Sequence, residues 1–194
     1  MGLLRLNNCP TTIQLANALI NALRLLFEKD DMLLDANVNE RTITHRLAVY
    51  LEREFSGWNV DCEYNRRGQG GCPKRLDYVI EAENMRSDDT EGRSVFPDII
   101  VHCRGTDDNY LVIEVKKSTS TEDERKDVAK LKAFTNPDRY GYKVGLFLNI
   151  GIEQGIPTIL RFVSGKNIYE PIRVISDSYN KAVLDVVEML ESFG

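Results

Sequence analysis

The chain has 194 residues, 42% of them hydrophobic and 28% charged, with a formal net charge of −5 at pH 7. These values describe a globular domain long enough for a sizeable core; they exclude a disordered chain and a protein coated in basic charge for non-specific nucleic-acid binding. No apolar run is long enough to span a bilayer, and the N-terminus, MGLLRLNNCP, lacks the apolar core of a secretory signal, so the expected home is the cytoplasm. Cys9, Cys62, Cys72 and Cys103 form no CxxC pair, which argues for reduced thiols rather than a zinc site. Cys62 and Cys103 fall in strand-like runs and read as small core residues.

In chain order, Thr11 to Leu34 carries Leu15, Ala18, Leu19, Ala22, Leu25 and Leu26 at helical spacing, with Thr11 or Thr12 as cap. It reads as a packing helix. A second helix is predicted from Asn39 to Phe55, with Ile43, Leu47, Leu51 and Phe55 as its apolar stripe. Glu40 precedes Ile43 by three residues and Leu47 by seven, so it shares their face. An acid at a helix start is favoured by the dipole, which gives Glu40 a bland explanation. The sharper one is an acid aimed at whatever the helix packs on. His45, about 140° further round, is expected to point elsewhere.

Trp58 to Tyr64 alternates like a strand. The following NRRGQGGCPKR is a glycine-rich loop whose Arg66, Arg67 and Lys74 are candidate phosphate contacts. Leu76 to Ile80 is short and strand-like, and residues 82–94 form a polar surface loop.

The stretch SVFPDIIVHCRGTDDNYLVIEVKKS then reads as two strands joined by a polar turn. Asp98 opens the first apolar run, and Glu114 and Lys116 interrupt the second. Alternation places Glu114 and Lys116 on one face with Val112, and Lys117 on the other. A carboxylate and an ammonium on a mostly apolar strand are costly unless both find partners. His102 lies on the same strand face as Asp98, and a single hydrogen bond accounts for it.

Beyond the hairpin, TEDERKDVAKLKAF is a helix with a capping box, Thr121 with Glu124. Its Lys130 is a candidate substrate contact. Tyr142 to Ile150 and Thr158 to Val163 read as strands, and Asp177 to Phe193 as a closing amphipathic helix. The whole implies one domain, residues 1–194, of α/β (α+β) class: a mixed sheet flanked by helices.

Pro97-Asp98 followed by Glu114-Val115-Lys116, in a strand–turn–strand setting with a helix next, resembles the signature of the PD-(D/E)xK nuclease superfamily. Two decoys, Glu124-Arg125-Lys126 and Pro137-Asp138, fail because they lie on a polar helix and in a turn. The resemblance implies a restriction-endonuclease-like core over about residues 39–165, with residues 1–38 and 166–194 as helical elaborations. It further implies Mg²⁺- or Mn²⁺-dependent hydrolysis of phosphodiester bonds, with DNA as the expected substrate.

Asp98, Glu114 and the Val115 carbonyl are hard oxygen donors suited to such an ion; Glu40 would join as a ligand or as a partner of bound water. Lys116 would orient water or stabilise charge on the phosphate. Arg66, Arg67, Lys74 and Lys130 would contact the nucleic acid, and two-strand cleavage would call for a homodimer or a protein partner. Two other readings compete: a non-catalytic nucleic-acid-binding or assembly subunit on the same fold, and an unrelated α/β protein whose Glu114 and Lys116 are a core salt bridge.

Overall fold

The computed structural model describes residues 9–64, 96–153, 155–175 and 178–193, together with the backbone of residues 66–67, 72–73, 75–76 and 93–94. Helix α1 (Thr12–Lys29) starts at Thr11, which forms a capping box with Gln14. Its buried stripe runs from Leu15 to Leu26, as the spacing predicts. The helix does not continue to Leu34. Asp30 leaves helical geometry, and its Oδ2 accepts from Arg46 Nε at 2.9 Å and Tyr50 Oη at 2.6 Å; a short α2 (Asp31–Asp35) follows. Helix α3 (Glu40–Glu54) is capped by Asn39, whose side chain accepts from the Thr42 amide, and buries Ile43, Leu47 and Leu51.

Strand β1 (Asn59–Cys62) is followed by two short pairings, β2 (Arg66–Arg67) with β3 (Cys72–Pro73) and β4 (Arg75–Leu76) with β5 (Arg93–Ser94). The strand expected over Leu76 to Ile80 and the loop at 82–94 lie largely outside the described residues. The central hairpin is β6 (Ile99–His102) and β7 (Asn109–Lys117), paired antiparallel with a bulge at Val101/His102. Helix α4 (Glu124–Thr135) crosses to β8 (Val144–Ile150), which runs parallel to β7. Strands β9 (Thr158–Ser164), β10 (Asn167–Ile168) and β11 (Ile172–Val174) extend the sheet antiparallel, and α5 (Tyr179–Glu191) closes the chain.

The sheet is therefore mixed, open and mostly antiparallel, in the order β1-β6-β7-β8-β9-β10, with β11 also on β9. Alternation along the strands divides the core in two. Leu111, Ile113 and Val115 face a large cluster with α1, α3 and α5; Ile100, Val112 and Phe147 face a smaller one with Leu131 and Phe134 of α4. Helices thus cover both faces, as expected for the class. Gly145 is where α4 sits closest: a Cβ there would stand 3.0 Å from Thr135 Cγ2 and 3.1 Å from the Val163 carbonyl. Toward its other end α4 reaches β7, through Asp127 to Lys116 and Lys130 to Glu114.

The start of α4 differs from the expected capping box. Asp123 is the cap, accepting from the Arg125 amide, and Glu124 reaches away to Arg161 and Asn149. A carboxylate directly before the first turn outcompetes Thr121 for that role. The cysteines divide as well: Cys103 is buried, whereas Cys62, at the sheet edge, is exposed. Among the described residues no helix is long and apolar enough to cross a membrane.

Candidate functional site

Three elements meet at the C-terminal end of β7, and each contributes charged side chains. Asp98 stands immediately before β6, and its Oδ2 accepts from the Val115 amide at 2.8 Å. A residue's carbonyl leaves a strand on the same edge as its N–H, so the Val115 carbonyl shares the edge that Asp98 occupies. Glu40, on the first turn of α3, accepts from the Lys117 amide at 3.2 Å through Oε2. Its core-facing stripe therefore aims it at β7, the sharper of its two sequence readings. Oε1 of the same carboxylate lies 3.7 Å from Lys116 Nζ.

Lys116 is nearly buried and has further partners on the far side of the cleft: Glu122 Oε2 at 2.5 Å and Asp127 Oδ2 at 3.7 Å. Lys117 points to the opposite face, where its Nζ donates to Asn37 Oδ1 at 2.7 Å and the Val38 carbonyl at 2.8 Å. Glu114 is the most enclosed charge among the described residues, only 1% exposed. Its Oε2 is paired with Lys130 Nζ of α4, and Oε1 is buried with no hydrogen-bond partner. Lys130 also lies 3.5 Å from Asp127 Oδ1, one turn earlier on α4.

The electrostatics follow from this crowding. Burial pushes the Glu114 carboxyl well above its ordinary value, against the opposing pull of Lys130. Asp98 is raised by burial although the Val115 amide and Lys130 oppose it, and Glu40 is raised by burial against Lys116. For Lys116, burial acts downward but the Glu122 hydrogen bond and the charges of Asp127 and Glu40 outweigh it, so the ammonium is strongly held. Lys130 is likewise raised, its pairing with Glu114 outweighing burial.

Of the residues singled out from the sequence, Glu40, Asp98, Glu114, Val115 and Lys116 come together here. Lys130 joins them, turned inward onto Glu114 rather than outward as a surface contact. Arg66 and Arg67 lie on the backbone of β2; Lys74 lies outside the described residues. Two contributors escaped the sequence reading, Glu122 and Asp127. Asp127 could have been found: Asp127, Leu131 and Phe134 recur at i, i+4 and i+7, and all three are buried.

A cavity of about 190 Å³ opens beside Asp98, lined by Glu40, Arg41, Thr44, His45, Cys62 and Glu63. His45 thus shares a groove with Glu40, contrary to the helical-angle expectation, because the groove spans the flank of α3 as well as its buried stripe. His102 is 3% exposed and takes the structural role expected for it, with Nε2 2.8 Å from Asp61 Oδ2.

Five carboxyl groups (Glu40, Asp98, Glu114, Glu122, Asp127) surround two ammonium groups (Lys116, Lys130). Among the described residues no three His, Cys, Asp or Glu side chains are arranged to hold a metal ion together. Each of the three expected acids instead rests on a donor of the chain itself. The donor set nonetheless suits a hard divalent cation: oxygen ligands only, a surplus of negative charge, and one buried carboxylate oxygen lacking a partner. No family model, curated protein or solved structure matches the chain.

Proposed function

We propose that the chain is a metal-dependent nuclease of the PD-(D/E)xK kind, with a restriction-endonuclease-like core, hydrolysing phosphodiester bonds in DNA. The observation that carries the proposal is Glu114 Oε1, an acceptor buried without a donor beside the edge that carries Asp98 and the Val115 carbonyl. A buried carboxylate oxygen left unpaired costs about 1–3 kcal/mol or more, so it persists where something else selects for it. The surplus of carboxylates supports the same reading. A polyanion does not approach five acids and two ammonium groups unless a cation intervenes.

Asp98, Glu114 and the Val115 carbonyl would hold Mg²⁺ or Mn²⁺, which supplies an acidified water and offsets charge on the phosphate. The rest of the chemistry belongs to the chain. Lys116 stays an ammonium because its acidic neighbours raise its pKa; it therefore serves as a donor through Nζ to a phosphate oxygen or the attacking water, not as the proton acceptor. Glu40 suits that second task better. Its carboxyl is half-buried with a raised pKa, Oε1 lies beside Lys116, and the residue opens on the cavity, so Oε1 can take the proton of the attacking water. The low exposure of Lys116, Asp127 and Lys130 excludes bulk water from the back of the site.

Arg66 and Arg67, three and four residues beyond the groove-lining Glu63, and Lys74 on the same loop, are proposed contacts to the nucleic-acid backbone. A homodimer would supply the second site for cutting both strands, and the cytoplasm is the proposed location.

One observation favours an alternative, a non-catalytic nucleic-acid-binding or assembly subunit on the same fold: Lys130 already occupies Glu114. The two are separated by Mn²⁺- or Mg²⁺-dependent cleavage of DNA by the purified chain. Loss of at least a thousandfold in Asp98→Ala and in Lys116→Ala is the expected result. Cleavage at the same rate by wild type and both variants would sink the nuclease reading, and tight metal binding without cleavage would favour the subunit.

A further inference from the structure

We propose that the Lys130 ammonium on Glu114 Oε2 and a divalent cation on Glu114 Oε1 exclude one another, so that the cation must displace Lys130 and occupancy of the site is set by that competition. This rests on the metal-dependent reading above and adds a residue and a control that the hairpin motif does not contain.

The geometry is specific. Glu114 is almost fully enclosed and offers two oxygens, of which Oε2 is taken by Lys130 and Oε1 by nothing. A cation bound to this carboxylate would face the Lys130 ammonium across a few ångströms of poorly screened interior. Like charges at that distance in a medium of reduced dielectric repel strongly, so both are not held on one carboxylate at once. Lys130 has somewhere to go. Asp127 Oδ1 already lies 3.5 Å from Nζ on the same helix, and a flexible four-carbon stem lets the ammonium swing between the two acids while α4 keeps its close seat at Gly145. Lys116 is placed differently: its partners are Glu122, Asp127 and Glu40, and it makes no ion pair with Glu114. The two lysines therefore have separate duties. One stands beside the ligands, and the other sits on one of them.

Calorimetric titration of the full chain with MnCl₂ tests the competition. Lys130→Met keeps the stem and removes the charge, and it is expected to raise the apparent Mn²⁺ affinity at least about tenfold over wild type. Glu114→Gln is expected to abolish binding. Binding by Lys130→Met alone, with none by wild type, is the extreme form of the same result. Equal or weaker binding in Lys130→Met, with wild type still binding, overturns the competition and leaves the nuclease reading standing. Absence of binding in both at millimolar Mn²⁺ overturns both. Should Lys130→Met fail to fold, wild type suffices. In protein labelled with ¹³C at the lysine ε-carbons, the Lys130 signal, assigned by its loss in Lys130→Arg, must move as Mg²⁺ binds. A stationary signal while Mg²⁺ binds overturns the inference.

Discussion

Two ionic clusters flank β6, and they treat their carboxylates in opposite ways. At one end Asp61 accepts from Arg104 through both oxygens and from His102, and Asp30 elsewhere is shared by Arg46 and Tyr50 in the same manner. Burial pushes both acids up, but the hydrogen bonds outweigh it and leave each below its ordinary value. At the other end Glu40, Asp98 and Glu114 are all raised, with burial as the largest cause in each. Donors are available there too, but they are too few for the acids, and Glu114 Oε1 receives none. A cluster that exists to hold the fold pairs its charges. A cluster that is strained by its charges points to something outside the chain.

The contrast breaks most sharply on removing charge. Asp61→Ala removes the carboxylate shared by the enclosed His102 and the half-exposed Arg104; we expect a loss of about 2 kcal/mol, read by urea unfolding. The double replacement Glu114→Leu with Lys130→Met removes a buried pair whose desolvation is poorly compensated. It is expected to gain about 1–2 kcal/mol and raise Tm while abolishing the proposed metal binding. If the double variant instead loses as much as Asp61→Ala, the two clusters are alike and the functional reading of the second loses its physical basis.

The pH dependence of stability sharpens the same point, with opposite signs. Asp61 has a folded pKa below its ordinary 3.8, so its contribution is present above that pH and is lost as pH falls through the folded value. Glu114 has a folded pKa well above its ordinary 4.5. Its contribution is therefore full below pH 4.5 and is lost as pH rises through the folded pKa. Stability profiles of Asp61→Asn should flatten on the acid side of pH 3.8, and those of Glu114→Gln on the side above 4.5. The two slopes are expected to have opposite signs, read by urea unfolding at stepped pH; slopes of the same sign would mean that the two acids are held alike.

How far the sequence anticipates this site depends on how local each signal is. The hairpin is legible because charges at Asp98, Glu114 and Lys116 interrupt strong apolar alternation, and nothing nearer in sequence explains them. Glu40 is legible by its phase on α3. Asp127 carries a signal in its phase with Leu131 and Phe134, but α4 is charged on nearly every face and that signal is faint; Lys130 stands out only as a candidate substrate contact, and its inward turn is not legible. The Glu114–Lys130 pair spans sixteen residues and exists only because α4 packs on β7 and β8 through Gly145. The break at Asp30 is hidden for a related reason: its partners, Arg46 and Tyr50, come from the next long helix. The pairing strands β10 and β11 are two and three residues long, too short to print a period.

The smallest expected effect concerns two lysines adjacent in sequence. Lys116 and Lys117 sit on opposite faces of β7, and alternation alone assigns them different neighbours. Lys117 Nζ ties the backbone at Asn37 and Val38, the turn that leads into α3. It thereby steadies the start of the helix that carries Glu40, but it does so from outside the cleft. Lys117→Met should cost about 0.5–1 kcal/mol, the usual worth of partly exposed hydrogen bonds. Its main-chain N–H, which holds Glu40 Oε2, is untouched by the replacement, so the proposed metal-dependent cleavage should fall less than about tenfold. Lys116→Met removes the ammonium shared by Glu40, Glu122 and Asp127, and cleavage should fall with it to the level of Lys116→Ala. A Lys117→Met variant as inactive as Lys116→Met would mean that the entry to α3, rather than the charge on β7, controls the site.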